Sequence, residues 1–508
     1  MTRLIAGPWP IDDAYITFRY ARNLANGLGL VYNPGEAVLG TSTPAFALLL
    51  ALVTALTPTD IAWAAVTISA LADALTVLLI HRLARELGLP PWSALSCALA
   101  WALYPVGYRY ALGGLETSLA SLLILGAFTA YLAGRQGPAM ALLGLAVLTR
   151  PDALAAAFVI LAAQALRARR LPWRSVLILA ATLAPWLVFA TWQYGNPLPQ
   201  SLLAKSHAVY LAHHGKNALQ ALYYVAGLIL AGPMGLAAQG INVYLAPEHR
   251  PVPIAVATVL LAVWGFGAGR AIRTDRRWAA FFAFPLLFSG TYGLLGLRGS
   301  LMAEWYLVPL APFFFLGIFA GVVGLCRRLP EPLSPSVEAA LCVAIILAQA
   351  AGLDLGRLPR RSALVPRVVW TEREELYRKA AEFLRPRLKP GDVVAAPEIG
   401  ALGYYCDCRI LDTIGLVSPE TARYYPLPRH MYVVNYAVQQ DLIRDTSPTY
   451  LASLDIFIRK SLLEAEWFQR EYAVVWHEDT TAFVSRRLLV FDRVAPARAP
   501  ARARGAIP

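Results

Sequence analysis

What most constrains this chain is a series of apolar stretches, each close to the length of a bilayer crossing and each closed by a short polar loop. They run from Ile61 to Ile80, Trp92 to Tyr108, Leu115 to Ala133, Pro138 to Thr149, Ala153 to Leu166, Ser175 to Trp192, Pro253 to Ala268, Ala279 to Gly296, Met302 to Leu325 and Val337 to Leu353. About 20 helical residues cross a hydrocarbon core, and only helices or closed barrels satisfy their backbone there. The pattern predicts a polytopic α-helical membrane protein with about ten or more transmembrane helices. Composition agrees, with 57% hydrophobic against 15% charged residues and a mean hydropathy of +0.51. Soluble multidomain, disordered, collagenous and disulfide-framework chains are excluded by the same figures.

Charge gives the orientation. The net charge of +13 comes from 45 Lys+Arg against 32 Asp+Glu, and the arginines gather in short loops at Arg82 and Arg85, Arg167 to Arg174, Arg270 to Arg277, and Arg327 and Arg328. That is a positive-inside pattern rather than a nucleic-acid footprint. With those loops in the cytoplasm, residues 1–40, the loops around Gly113, Arg150, Asn196 to Lys216 and Arg298, and everything after Leu353 share the outer side. Pro44 to Leu56 is short for a span and reads as a juxtamembrane or re-entrant helix. The first ten residues hold no secretory signal, so a further helix upstream is expected to place Asp12 outside. The stretch from Leu219 to Ala246 reads either as a re-entrant hairpin or as an interfacial segment.

Residues 1–353 are thus expected to form the membrane domain and 354–494 a small extracytoplasmic α/β domain, with 495–508 a disordered Pro/Ala/Arg tail. In the α/β part, residues 371–388 read as an amphipathic helix, 389–398 as a turn and buried strand, and 409–417, 454–460 and 471–479 as further strands. Cys97, Cys326 and Cys342 lie in apolar runs, and Cys406 and Cys408 stand too close for an easy disulfide.

The outer segments hold the unusual polar residues. Asp12 and Asp13 are adjacent carboxylates after Pro10; Asp12 is either a helix cap or, with Asp13, an acid pair in which one member is a general base and its neighbour binds a cation or sets the pKa. Glu116 begins an apolar helix, where the macrodipole favours an acid. Arg150 and Asp152 sit in a polar break, either neutralising each other or offering a cation to phosphate. Lys205, Arg298 and Glu304 add charge on the same side, and together these residues suit a hydroxyl acceptor and an anion. His207, His213 and His214 lack the spacing of a zinc site, and no nucleotide-binding motif occurs. Asp73, inside an apolar stretch, either pairs within the bundle or marks a pathway.

The ordered set "DDAYITFRYARN", "GLGLVYNPGE", "GGLET", "LTRPD", "YGNPLPQSLLAK" and "EIGALGYY…ILDTIGLVSPE" resembles the GT-C superfamily of integral-membrane glycosyltransferases. Within it the chain is similar to the terminal arabinofuranosyltransferase group and its bacterial relatives, from Asp12 to about Arg486. The resemblance implies a polyprenyl-phosphate sugar donor, inverting transfer outside the cytoplasmic (inner) membrane, and a glycan, glycolipid or protein acceptor in the cell envelope. It implies Asp12 as the catalytic base with Asp13 beside it and Glu116 as a second acid. Arg150, Lys205 and Arg298 become candidates for the lipid phosphate, with Asp152 and Glu304 lining the substrate. The sugar is arabinofuranose or a hexose such as mannose, and a divalent cation is compatible with the acid pair but not demanded by it. Two other readings are a transporter or flippase of lipid-linked sugars, which the absence of internal repeats opposes, and a non-catalytic glycan-binding scaffold.

Overall fold

A computed structural model describes residues 2–206, 251–297, 304–331, 333–351, 369–434, 436–481 and 484–494. The chain divides into two compact units. The first comprises Met1–Trp9, Ala62–Leu187 and His214–Pro366, the second Pro10–Ile61, Val188–His213 and Arg367–Pro508. By their contacts, residues 10–61 group with the region expected to form the α/β domain at 354–494. The reason is physical: the segment after Pro10 is rich in polar and aromatic side chains whose partners lie beyond residue 398, not in the helical bundle.

The first unit is helical. Among the described residues, five helical segments are long and apolar enough to cross a membrane: Ile61–Glu86, Pro151–Ala168, Trp173–Tyr194, Trp305–Cys326 and Leu333–Ala350. Thr117–Leu132, Gln136–Thr149 and Trp278–Tyr292 are shorter apolar helices. The chain is a multi-pass membrane protein. The stretch expected from Trp92 to Tyr108 is two helices, Pro91–Ala102 and Pro105–Leu112. Pro105 has no N–H to continue the first helix and is well placed to start the second.

Ala311–Cys326 is buried along nearly its whole length. Glycines let the helix Pro251–Thr274 approach it closely. A Cβ on Gly267 would stand 2.1 Å from the Gly317 carbonyl oxygen, and one on Gly321 would stand 2.1 Å from that of Val263. Small residues four apart are a common way for apolar helices to meet where hydrophobicity alone gives no attraction. Trp264 fills the crossing and donates its indole N–H to the Phe313 carbonyl at 3.2 Å. Beyond it, Phe128, Phe281, Phe284 and Phe313 form an aromatic cluster with centroids 4.5–5.7 Å apart. Asp73 resolves as a bundle pair, its carboxylate 2.7 Å from Arg3.

The second unit is built on a five-stranded sheet, β1 (Val393–Ala396), β2 (Arg409–Asp412), β3 (Tyr450–Leu454), β4 (Tyr472–Asp479) and β5 (Arg487–Arg493), in the order β2-β1-β3-β5-β4. β1 runs parallel to β2 and β3, while β5 runs antiparallel to β3 and β4. The expected strand at 454–460 is instead a turn of helix, Asp455–Ile458, after β3. Asp455 stops the strand by accepting the Arg486 N–H at 2.7 Å and the Arg459 guanidinium. β5, one strand in from the edge, had no forecast. Cys406 and Cys408 are joined as a disulfide, correcting the expectation that they are too close.

Two N-terminal helices complete this unit. Asp12–Ala25 is buried on most of its surface, and Pro44–Leu56 buries Phe46, Ala47 and Leu50 while Leu48, Leu52 and Leu56 stay exposed. Gly321→Ala should lower the thermal midpoint of the purified protein, because overpacking of this kind costs about 1–3 kcal/mol or more. An unchanged midpoint in detergent would mean that the two glycine-bearing helices part freely.

Candidate functional site

The candidate side chains that the structure describes lie in or beside two charged clusters, one in each unit. In the second unit, Pro10 and an extended Ile11 lead into the Asp12–Ala25 helix. Asp12 does not cap its own helix. Its Oδ1 accepts the backbone N–H groups of Gly400 at 2.8 Å and Ala401 at 3.4 Å, at the start of the Gly400–Cys406 helix. Gly400 is required by this approach, since a Cβ there would lie 2.4 Å from Asp12 Oδ1 and 2.1 Å from its carbonyl oxygen. Asp13, one residue on, is exposed.

Around Asp12 stand groups that the sequence had not singled out. Arg373 grips Glu374 Oε1 with Nε at 2.9 Å and Nη2 at 2.6 Å, and reaches Glu398 Oε2 with Nη1 at 2.8 Å. Tyr436 donates its hydroxyl to Glu398 and stacks on Phe457 with centroids 4.2 Å apart. All four charged side chains are buried. Burial raises the Asp12 carboxyl, against the pull of Arg373 and the Gly400 N–H. Burial likewise pushes Glu374 well above the usual carboxylate range and Glu398 up to about 7, Arg373 opposing both. The missed signal was a helical one. Arg373 and Glu374 occupy the same stripe as Tyr377, Ala380, Ala381 and Leu384 of the Val369–Leu384 helix, where charge is out of place.

The rest of the Asp12–Ala25 helix and the loop after it hold the C-terminal part by its backbone. Arg19 donates to the carbonyls of Gly403 at 2.8 Å and Cys408 at 2.6 Å, and its guanidinium lies 4.2 Å from the Tyr32 ring. Arg22 reaches the Tyr404 carbonyl at 2.8 Å and Tyr32 the Ile399 carbonyl at 2.6 Å. Asn33 pairs with Ile410 as a neighbouring strand would, accepting its N–H at 3.0 Å and donating to its carbonyl at 2.9 Å.

In the first unit, the polar break between Gln136–Thr149 and Leu154–Ala168 is a short 3-10 turn, Pro151–Ala153. Arg150, just before it, donates Nη1 to Glu116 at 2.8 Å, and Nε and Nη2 to the two oxygens of Asp152 at 3.1 and 2.6 Å. Tyr292 donates to Asp152 at 2.9 Å, and the Arg150 guanidinium lies 4.9 Å from the Tyr306 ring. The structure therefore joins Glu116, Arg150 and Asp152. Two carboxylates already claim the arginine, which leaves it less suited to a phosphate than the sequence alone suggests.

Glu304 begins the 3-10 segment Glu304–Leu310 and Lys205 lies in the helix Gln200–Ser206, both with side chains outside the described residues. Arg298, His207, His213, His214, the stretch 219–246 and the tail 495–508 also lie outside them. Among the described residues no group of three or more His, Cys, Asp or Glu side chains has the arrangement to hold a metal ion.

Residues 367–497 match a family described as a domain of unknown function, DUF8728. No curated protein matches the chain by sequence. Among solved structures, apo ArnT from Cupriavidus metallidurans superposes with a TM-score of 0.56 at 12% identity, covering 96% of this chain and 95% of that one. The chain is similar in fold to ArnT. The same protein bound to undecaprenyl phosphate gives 0.54 at 14% identity, covering 97% and 96%. Arabinofuranosyltransferase AftD from Mycobacteria gives 0.43 at 15% identity, over 97% of this chain and 41% of that one. The resemblance to the GT-C superfamily read from the sequence thus holds at the level of the fold.

Removing Arg150 leaves the buried Glu116 and the half-buried Asp152 without their cation, at a cost of up to about 3–5 kcal/mol. Arg150→Ala should therefore lose yield and thermal stability, and adding Glu116→Gln with Asp152→Asn should recover most of both. A stable Arg150→Ala protein would show that the arginine is free for a ligand.

Proposed function

We propose that this protein is a membrane glycosyltransferase, moving a sugar from a polyprenyl-phosphate donor to an acceptor on the outer side of the cytoplasmic membrane. The observation that carries this reading is the similarity of fold to ArnT over nearly the whole of both chains, one of whose structures holds undecaprenyl phosphate. The sugar is arabinofuranose or a hexose such as mannose, and the acceptor is an envelope glycan, glycolipid or protein. About ten or more helices cross the bilayer in this reading.

Asp13 is the general base and Asp12 its anchor. The exposed Asp13 carboxylate is available to a hydroxyl, whereas Asp12 is taken up by two backbone N–H groups. The acceptor oxygen attacks the anomeric carbon as its proton passes to Asp13, and the bond from that carbon to the phosphate oxygen breaks with inversion. The leaving phosphate gains charge, so a nearby cation stabilises the transition state. Lys205 and Arg298 are proposed for that part, since Arg150 is paired. Glu116, the second acid, and Asp152 hold Arg150, and Asp152 and Glu304 are proposed to line the substrate. A divalent cation is compatible with this scheme, although no step requires one.

Asp13→Asn should lower kcat by about 10²–10⁴ with the thermal midpoint unchanged, because only the proton acceptor is removed. Asp12→Asn should lower the midpoint as well as the rate. Purified protein in nanodiscs, given synthetic prenyl-phosphate arabinofuranose and mannose with envelope acceptors, tests the whole reading. Protein that binds donor but transfers nothing, while moving it across the bilayer, would make it a flippase.

Sidedness has its own check. Glu420 is exposed in the second unit. Glu420→Cys should react with an impermeant maleimide added outside intact cells, and labelling only after permeabilisation would reverse the proposed orientation.

A further inference from the structure

The buried cluster of the second unit carries more acid than base. Asp12, Glu374 and Glu398 face one guanidinium, that of Arg373. The other titratable groups acting on them are Asp13 and Tyr15 from the N-terminal helix, Tyr32 after it, Tyr377 on the helix of Arg373, and Tyr436. The tyrosines add no positive charge, so ionising the three acids would leave two negative charges uncompensated in a buried site. Such a site takes up a proton or rearranges.

The hydrogen bonds say where the proton resides. Asp12 Oδ1 receives two backbone N–H groups, which favours its charged form. Glu398 receives the Tyr436 hydroxyl on Oε1 and Arg373 Nη1 on Oε2. Glu374 differs, because Arg373 occupies Oε1 while Oε2 is buried without a donor. The neighbour in hydrogen-bonding reach of Glu374 is Asp12, itself an acceptor. Two acceptors meet stably only with a proton between them.

We propose that Glu374 is protonated in the folded protein, donates from Oε2 to Asp12, and by holding Asp12 against the Gly400 helix is the positioning residue for Asp13. The part concerning Asp13 rests on the transferase reading; the shared proton does not. As pH rises, Glu374 loses the proton, two carboxylates repel, and the first turn of the Asp12–Ala25 helix loosens.

The sign follows from linkage. A carboxyl whose folded pKa is raised contributes stability that is complete below its unfolded value and is lost as pH rises through the folded one. Wild-type protein in nanodiscs should therefore lose thermal midpoint as pH rises from the ordinary carboxylate range through the raised pKa of Glu374, with the alkaline limb of kcat falling over the same range. Glu374→Gln keeps an acceptor for Arg373 and gives Asp12 a donor that cannot ionise. It should flatten the midpoint against pH, extend the alkaline limb of kcat and leave donor KM unchanged. Asp12→Asn should flatten the midpoint in the same way, by donating to an ionised Glu374.

A Glu374→Gln protein that keeps the wild-type slope, or is destabilised equally at every pH, overturns the proposal. If neither variant folds, infrared spectroscopy of wild-type protein decides. A protonated-carboxyl band at neutral pH that fades at alkaline pH supports the shared proton, and its absence refutes it. Flattened stability in a protein that transfers no sugar would sink the transferase reading and leave the proton in place.

Discussion

One carboxylate, that of Asp12, joins two parts of the chain 388 residues apart. A buried charge of this kind persists only where hydrogen bonds replace its water. The N–H groups at the start of the Gly400–Cys406 helix are donors that the helix cannot itself satisfy, so Asp12 and that helix complete each other. From this contact the rest of the unit follows. Arg19, Arg22, Tyr32 and Asn33 extend along the backbone from Ile399 to Ile410, with Asn33 beside the outer edge of β2. An edge strand is thereby covered without another strand being added.

The two charged clusters follow one rule. In each, a single buried arginine meets more than one acid, and a tyrosine hydroxyl donates to an acid that the arginine also touches: Tyr292 to Asp152, Tyr436 to Glu398. Such networks are costly to break at any member, because each loss exposes a buried polar group without a partner. They are rigid for the same reason. Rigid surroundings suit a reactive group, and Asp13 stands beside one of these networks without belonging to its hydrogen bonds.

Much of this was legible in the sequence, to different depths. The apolar stretches located most of the membrane helices, because period and length are local properties. Pro105 showed its break only as a proline inside an apolar run. In the C-terminal region the strands at Val393, Arg409 and Tyr472 were readable from β-branched runs, whereas β3 was displaced because its small residues carry little strand signal and the stronger apolar run beside it is helical. Asp12, Glu116, Arg150 and Asp152 stood out as charges beside apolar sequence. The partners of Asp12 did not: Arg373 and Glu374 resemble the solvated face of an amphipathic helix, and only the fold turns them inward. The split into units was hidden for a similar reason, since side-chain to backbone bonds across hundreds of residues leave no periodic trace.

The composite nature of the second unit sets the order in which it can form. Residues 10–61 belong to the same compact unit as the C-terminal sheet, and the Asp12 carboxylate and the Arg19 guanidinium meet their backbone partners only at Gly400, Ala401, Gly403 and Cys408. Synthesis runs from the N-terminus, so the helix Asp12–Ala25 is made long before the groups that satisfy its charges.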